Sequence, residues 1–320
     1  MSDPQSIDGV LVQWGERLFY PRVRFRDSRT PRLSLPSGKD RAAYFRARIE
    51  ATVLRRAPQV MVKVTGGGRG MRAIAAHFRY ISKHGKLEME DEFGRRSSGN
   101  EEVQEVLDEW RSAGTAIDDV GFRREAINIM LSMPRGTDPS AVLTAARAFA
   151  KAELSDHRYV MVLHDHQANP HVHLSVRMES KHGKRLNPRK ADLQRWREIF
   201  AEKPRDWGLD AEATRQPTRG LSRSYEALWR TKARQEGRLR TARSGARGGP
   251  LAETIRKEAA AAWMQLARAL NSSADESDRR LARSIFDFRR GIERNNPAVA
   301  PTRLQSGDSR PRAPGSDLRR

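Results

Sequence analysis

An apolar run that ends in histidine, a short polar turn containing proline, and a second run that opens His-hydrophobe-His constrain this chain more than any other feature. Arg158 to His164 is apolar on both faces, Asp165 to Pro170 supplies the turn, and His171 to Met178 alternates, so the segment reads as an antiparallel hairpin near the centre of a covered sheet. In the second strand Val172, Leu174, Val176 and Met178 share one face, and His171, His173, Ser175 and Arg177 share the other. Side chains two positions apart stand roughly 6.5–7 Å from each other along a strand, so His171 and His173 can converge on one ion, and His164 can reach it from across the hairpin. Three neutral imidazoles leave coordination positions open, which suits a catalytic metal better than a structural one. The bland alternative is a solvated histidine-rich turn, since four of the eight histidines fall within residues 164–173.

Other periodic segments supply partners for the hairpin. Gln59 to Thr65 alternates as a strand and runs into Gly66-Gly67-Gly68-Arg69-Gly70. This loop lacks the Gly-Lys-Ser/Thr ending of a P-loop; its glycines serve either tight packing or close approach of a nucleic-acid backbone, which makes Gly67, Gly68 and Arg69 candidate DNA contacts, with Arg177 from the polar sheet face. Met71 to His84 reads as a helix stopped by Gly85, with Ile74, Phe78 and Ile81 facing a core and His77, Tyr80 and His84 on an adjoining face. From this helix alone Tyr80 is a half-buried packing residue. Glu88 to Glu102 reads as a polar acidic link, and Val103, Val106, Leu107 and Trp110 as an amphipathic helix. Glu125 to Met133 is a second strand, and Asp138-Pro139 caps a helix with Val142, Ala146, Phe149 and Ala150 inward. Asn187-Pro188 caps another, striped by Leu193, Trp196, Ile199 and Phe200. Together these make an α+β protein, an antiparallel central sheet flanked by helices.

The ends look different. Residues 1–57 mix Arg, Pro and Ser and read as a basic, mostly extended arm, with Val10 to Trp14 as a potential edge strand and Tyr44 to Leu54 as a short helix. Residues 221–296 read as a mainly helical basic region with helices at Leu251–Leu270 and Ala274–Glu293, and 297–320 as a disordered Pro-, Ser- and Arg-rich tail. Residues 58–220 hold the domain between them.

Lys and Arg outnumber Asp and Glu by 61 to 40, a net charge of +21. That balance asks for a polyanionic partner, nucleic acid first, although ribosomal, membrane-surface and heparin-type binders share it. The absence of cysteine excludes a disulfide framework and leaves nitrogen and oxygen as metal ligands. With no signal-peptide pattern and no 18-residue apolar run, a soluble cytoplasmic protein without membrane insertion is expected. A basic protein with an open tri-histidine site suggests metal-assisted phosphoryl transfer.

Four motifs, in order, resemble the relaxase or mobilisation nuclease family of conjugative plasmids and integrative elements, in the branch of the T-DNA border endonuclease. Val60 to Gly70 resembles that branch's strand and glycine loop; Arg79-Tyr80-Ile81-Ser82-Lys83-His84-Gly85-Lys86-Leu87-Glu88 resembles its nucleophile helix; Ser132-Met133-Pro134-Arg135-Gly136-Thr137-Asp138 resembles its Ser-Phe-Pro-x-Gly-Thr-Asp segment; and Asn169-Pro170-His171-Val172-His173 is similar to its His-hydrophobe-His signature, with His164 on the third ligand. The resemblance implies a relaxase-type fold, Tyr80 as nucleophile, and Mg²⁺ or Mn²⁺ held by His164, His171 and His173. It further implies a 5′-phosphotyrosyl adduct on single-stranded DNA at a transfer origin, accessory DNA-binding proteins, a type IV secretion coupling protein, and passage into a recipient cell bound to DNA. The metal-bound phosphate, His77 or a nearby carboxylate is a candidate to assist the phenol. Where relatives carry an acid two positions after the first ligand this chain has His166, so Asp165 substitutes or His166 joins the metal shell. The alternatives are a rolling-circle replication initiator with the same chemistry and a non-catalytic DNA-binding accessory protein.

Overall fold

The computed structural model describes residues 6–20, 39–207, 209–214, 216–220, 237–238 and 250–295. Its centre is a six-stranded antiparallel sheet built from β1 (Met61–Gly66), β2 (Met89–Asp91), β3 (Arg96–Ser97), β4 (Ala126–Ser132), β5 (His157–His164) and β6 (His171–Ser180), in the order β1-β4-β6-β5-β2-β3. β5 and β6 are the expected hairpin, in a register that sets His164 opposite His171 and Val162 opposite His173. β4 lies on the other side of β6, with Ser132 opposite His171 and Met130 opposite His173.

The side-chain period of two divides these strands between two covers. On one face Ile127, Ile129, Leu131, Tyr159, Met161, Val172, Leu174 and Val176 pack under helices α5 (Pro139–Glu153) and α6 (Lys190–Glu202), with Phe149, Trp196 and Phe200 fully buried between them. Asp138 caps α5 by accepting from Ser140 N at 3.1 Å, as the Asp-Pro pair foretells, whereas α6 opens two residues later than expected, with Asp192 accepting from Arg189 N at 2.7 Å. On the other face α3 (Met71–Ile81) and α4 (Asn100–Ser112) cover Ala126, Val160, Val162 and Met89. Phe78 and Trp110 lock these helices together edge to face, with ring centroids 4.9 Å apart. This second cover stops short of the β1–β4 edge. There Met61, Lys63 and Thr65 are exposed and Asn128 and Met130 half-buried, so an open strip of sheet lies beside α3.

Two segments correct the sequence reading. The supposed polar link after α3 contains β2 and β3, because Met89 is buried opposite Val162 and the acids find cations: Glu90 accepts twice from Arg147, at 2.7 and 2.6 Å, and Asp91 from Arg95 at 2.6 Å. The supposed extended arm contains two helices, α1 (Ile7–Phe19) and α2 (Lys39–Val53); the second matches the expected short helix, and the first replaces the edge strand. Val10 to Trp14 lacks a sheet edge to join, and Leu11, Gly15, Leu18 and Phe19 instead form a helical stripe, capped by Ser6. That stripe meets Phe45 and Ile49 of α2 and Trp263, Leu266, Leu270, Leu281 and Ile285 of the helices α7 (Pro250–Asn271) and α8 (Glu276–Asn295). The terminal helices thus make a core of their own. Most of 221–249 and the tail from 297 lie outside the described residues.

A buried charge cluster ties that core to the sheet domain. Arg48 donates to Glu212 from Nη2 at 2.6 Å and from Nε at 3.1 Å, stands over the Phe19 ring, and faces Glu198 at 3.8 Å. Burial raises the Glu198 carboxyl and the Tyr20 phenol, while Glu212 and its neighbours keep Arg48 charged. Removing one partner of such a pair strands the other in low dielectric. Arg48→Met is therefore expected to destabilise the protein by about 3–5 kcal/mol; urea unfolding measures it, and a loss below about 1 kcal/mol would show the cluster to be wet.

Candidate metal centre and active site

The histidines meet at the mouth of the β5–β6 hairpin. His164, His171 and His173 are buried, at 4, 6 and 8% exposure, and each can offer a ring nitrogen such that these atoms lie within 4.8 Å of one another. The ring centroids are 4.7–5.0 Å apart, which strand register alone explains, because His164 and His171 are direct partners and His173 is two residues on.

The protein orients these rings through their outer nitrogens. His164 Nε2 is 2.7 Å from Ile81 O and His171 Nδ1 is 2.9 Å from Asn169 O. A carbonyl can only accept, so each of those nitrogens carries the proton, leaving Nδ1 of His164 and Nε2 of His171 with free lone pairs. His173 Nδ1 is buried with no partner. Buried polar atoms are nearly always satisfied, and an unsatisfied one among three imidazoles fits a site built for a ligand. The residues fit a divalent cation, and their chemistry is that of borderline nitrogen donors.

Electrostatics agree with the geometry. Burial, followed by His164, His171 and His77, pushes the His173 imidazole down to about 3, and burial also lowers His164, His171 and His77. All are neutral at pH 7, the form that ligates. The unfolded chain protonates its histidines below about 6.5 while the folded site resists, so metal-free protein is fully stable above that pH and loses stability as pH falls. For His173 alone the loss reaches about 2 kcal/mol at pH 5. Thermal melting in chelator checks this: the wild-type melting temperature should drop between about pH 7.5 and 5, with a shallower drop in His173→Leu.

Tyr80 stands beside the triad. It is 66% exposed on the last turn of α3, with its ring 6.2 Å from His173 and 6.3 Å from His77, which in turn lies 6.3 Å from His173. His77 Nε2 is a second buried atom without a partner. α3 ends at Ile81, three residues before the expected end, because Lys83, His84 and Gly85 all take positive φ. Gly85 is needed there, since a Cβ would stand 2.5 Å from Gly99 C. That turn exposes His84, separating it from the face shared by His77 and Tyr80, and aims Ile81 O at His164.

Several expected site residues have other work. Arg177 is 3% exposed and donates to the carbonyls of Trp110, at 2.5 Å, and Thr115, so it fastens α4 and the loop after it to the sheet and is no DNA contact. Ser175 is satisfied by Asn128 at 3.2 Å; half of the polar face of β6 is therefore structural. Gly68 uses both backbone groups on β4, donating to Ala126 O at 3.0 Å and accepting from Glu125 N at 2.7 Å, and a Cβ there would lie 2.6 Å from Ile74. Gly67, though exposed, is as tight, its hypothetical Cβ 2.3 Å from Ala126 O, so these two glycines serve packing, and Arg69 is the exposed side chain of that loop. His166 is exposed with its ring 5.2 Å from His164, and neither it nor exposed Asp165 joins the triad. Sequence reasoning missed the Ile81 carbonyl, a backbone group that no motif announces, and Lys63, which register brings level with His173 on the open strip.

A neutral imidazole triad at the mouth of a hairpin, with an exposed tyrosine alongside, makes a site that could hold a metal ion next to a phenol. Residues 80–209 match the family model described as Relaxase: MobA/VirD2-like, nuclease domain, which places this segment in the relaxase or mobilisation nuclease family and supports DNA nicking as its activity. The match begins at Tyr80, runs through the triad, and spans less than half of the chain, leaving β1, the glycine loop and the terminal helices outside it. No curated protein and no solved structure matches the chain. Among the described residues no helix is long and apolar enough to cross a membrane.

Proposed function

We propose that the protein is a conjugative relaxase that cuts one strand of DNA at a transfer origin through Tyr80, with His164, His171 and His173 holding Mg²⁺ or Mn²⁺. The observation that carries this reading is the placement of an exposed phenol 6.2 Å, ring to ring, from a buried neutral triad with an unpartnered nitrogen. The bound cation supplies Lewis-acid polarisation of the scissile phosphate and neutralises its developing charge. Tyr80 Oη bonds to phosphorus as the bond to the 3′ oxygen breaks, leaving a 5′-phosphotyrosyl adduct and a 3′ hydroxyl; the bond energy is kept for rejoining. The phenol gives up its proton and the departing oxygen gains one. His77, kept neutral by burial and with its ring 6.3 Å from that of Tyr80, is the imidazole outside the triad that we assign to that exchange.

The two covers do the positioning. α5 and α6 hold the hairpin from below, and the Phe78–Trp110 contact holds α3 above it, so Tyr80 and the triad cannot drift independently. The open β1–β4 strip beside α3 gives a single strand a place to lie and Lys63 a phosphate to meet. A protein partner for the cut strand, whether an accessory DNA-binding protein or a secretion coupler, belongs to the same reading.

Mass spectrometry of protein incubated with Mn²⁺ and single-stranded origin DNA tests the function. The expected result is a nucleotide-bearing peptide that contains Tyr80. A non-catalytic accessory protein binds the same DNA and yields no such peptide; a rolling-circle initiator yields it on a replication origin instead.

A further inference from the structure

We infer that the loop between α4 and β4 is a stacking platform for single-stranded DNA at the opposite end of α3 from Tyr80, with Phe122 as the base-stacking group; this rests on the nicking function proposed above. Phe122 is fully exposed and Val120 is 68% exposed, in a loop that is otherwise pinned. Met71 N donates to Asp118 O at 2.9 Å, Arg72 N to Asp119 O at 3.1 Å, and Glu125 N to Gly68 O at 2.7 Å. An aromatic ring held out in water by an anchored loop is a costly surface feature unless something covers it.

Its surroundings say what covers it. Arg69, Arg72 and Arg124 are exposed with no carboxylate partner among the described residues; Arg123 is exposed though it pairs with Glu125, and the charge of Asp119 is engaged by Arg111 at 2.7 Å, leaving Asp118 as the free acid. Two apolar side chains among arginines are too small a patch for the core of a protein interface, but an aromatic face flanked by guanidinium groups is how sequence-tolerant single-strand binders hold successive bases. The placement fits as well. The loop lies at the first turn of α3 and Tyr80 at its last, a helix of 11 residues and so about 16 Å, and the open β1–β4 strip runs alongside. A strand leaving Tyr80 along that strip reaches Phe122 within a few nucleotides.

Fluorescence anisotropy with oligodeoxythymidylates of increasing length, in EDTA, tests the platform. Phe122→Ala should weaken binding roughly 5- to 100-fold for oligonucleotides long enough to span both places, with no loss for those too short. Phe122→Trp should restore the affinity, its indole emission falling as DNA binds. Equal affinities of wild type and Phe122→Ala at every length would overturn the inference, as would light scattering in which Phe122→Ala abolishes a dimer while DNA affinity stays the same. Because the assay needs neither metal nor cleavage, absence of a Tyr80 adduct beside a length-dependent loss in Phe122→Ala would sink the nicking function alone, and an intact adduct beside unchanged affinity would sink the platform alone.

Discussion

Tyr80→Phe is expected to abolish the covalent adduct with origin DNA while leaving DNA affinity within about two-fold. The substitution removes one oxygen, and that oxygen is the atom that would bond to phosphorus; no neighbouring hydroxyl replaces it, since the rings beside Tyr80 are the imidazoles of His77 and His173. Since the ring is 66% exposed and its loss of the hydroxyl opens no cavity, the fold should melt as the wild type does. Denaturing gels of a labelled oligonucleotide with Mn²⁺ read the adduct, and anisotropy reads the binding. An adduct persisting in the variant would remove Tyr80 as nucleophile. Adduct and binding lost together would mean that the hydroxyl is a DNA contact first.

His171→Ala should lower Mn²⁺ affinity by more than 100-fold. Disturbing a group that merely orients a ligand typically costs 10- to 100-fold, so deleting a ligand should exceed that range. The truncation also leaves Asn169 O without its donor and a gap at a position only 6% exposed, so the melting temperature should fall too; His171→Gln, which fills the space and keeps a donor, separates metal loss from unfolding. Calorimetry measures the affinity, and the same variants should lose the adduct while still binding DNA. Mn²⁺ binding unchanged in both would dismiss the triad as a metal site. A chelator should reproduce the variants' loss of cleavage in the wild type.

What the amino-acid sequence determines here is set by local periodicity. Alternation in His171 to Met178, the apolar run before it and the polar turn between them specify a hairpin, and a hairpin with histidines at 164, 171 and 173 has little choice about bringing them together. The sequence likewise locates α5 and the helices from 250 to 295, because long amphipathic stripes and an Asp-Pro cap have one reading. Tyr80 came from resemblance to a family, since a tyrosine on a helix carries no chemical mark.

Tertiary structure decided the rest. Val10 to Trp14 looks like a strand by composition, yet becomes helix because its apolar stripe finds Phe45 and Trp263 more than thirty and two hundred residues away, contacts that no local window contains. Arg177 looks like a DNA contact until α4 and the loop after it close over it with two carbonyl acceptors. The partner of His164 is a backbone oxygen presented by three left-handed residues after α3, and the open strip beside Tyr80 exists because α3 and α4 are too narrow to cover β1. Pairing and alternation are local and therefore legible; which face of a strand is covered, and by what, depends on the packing of elements distant in the chain.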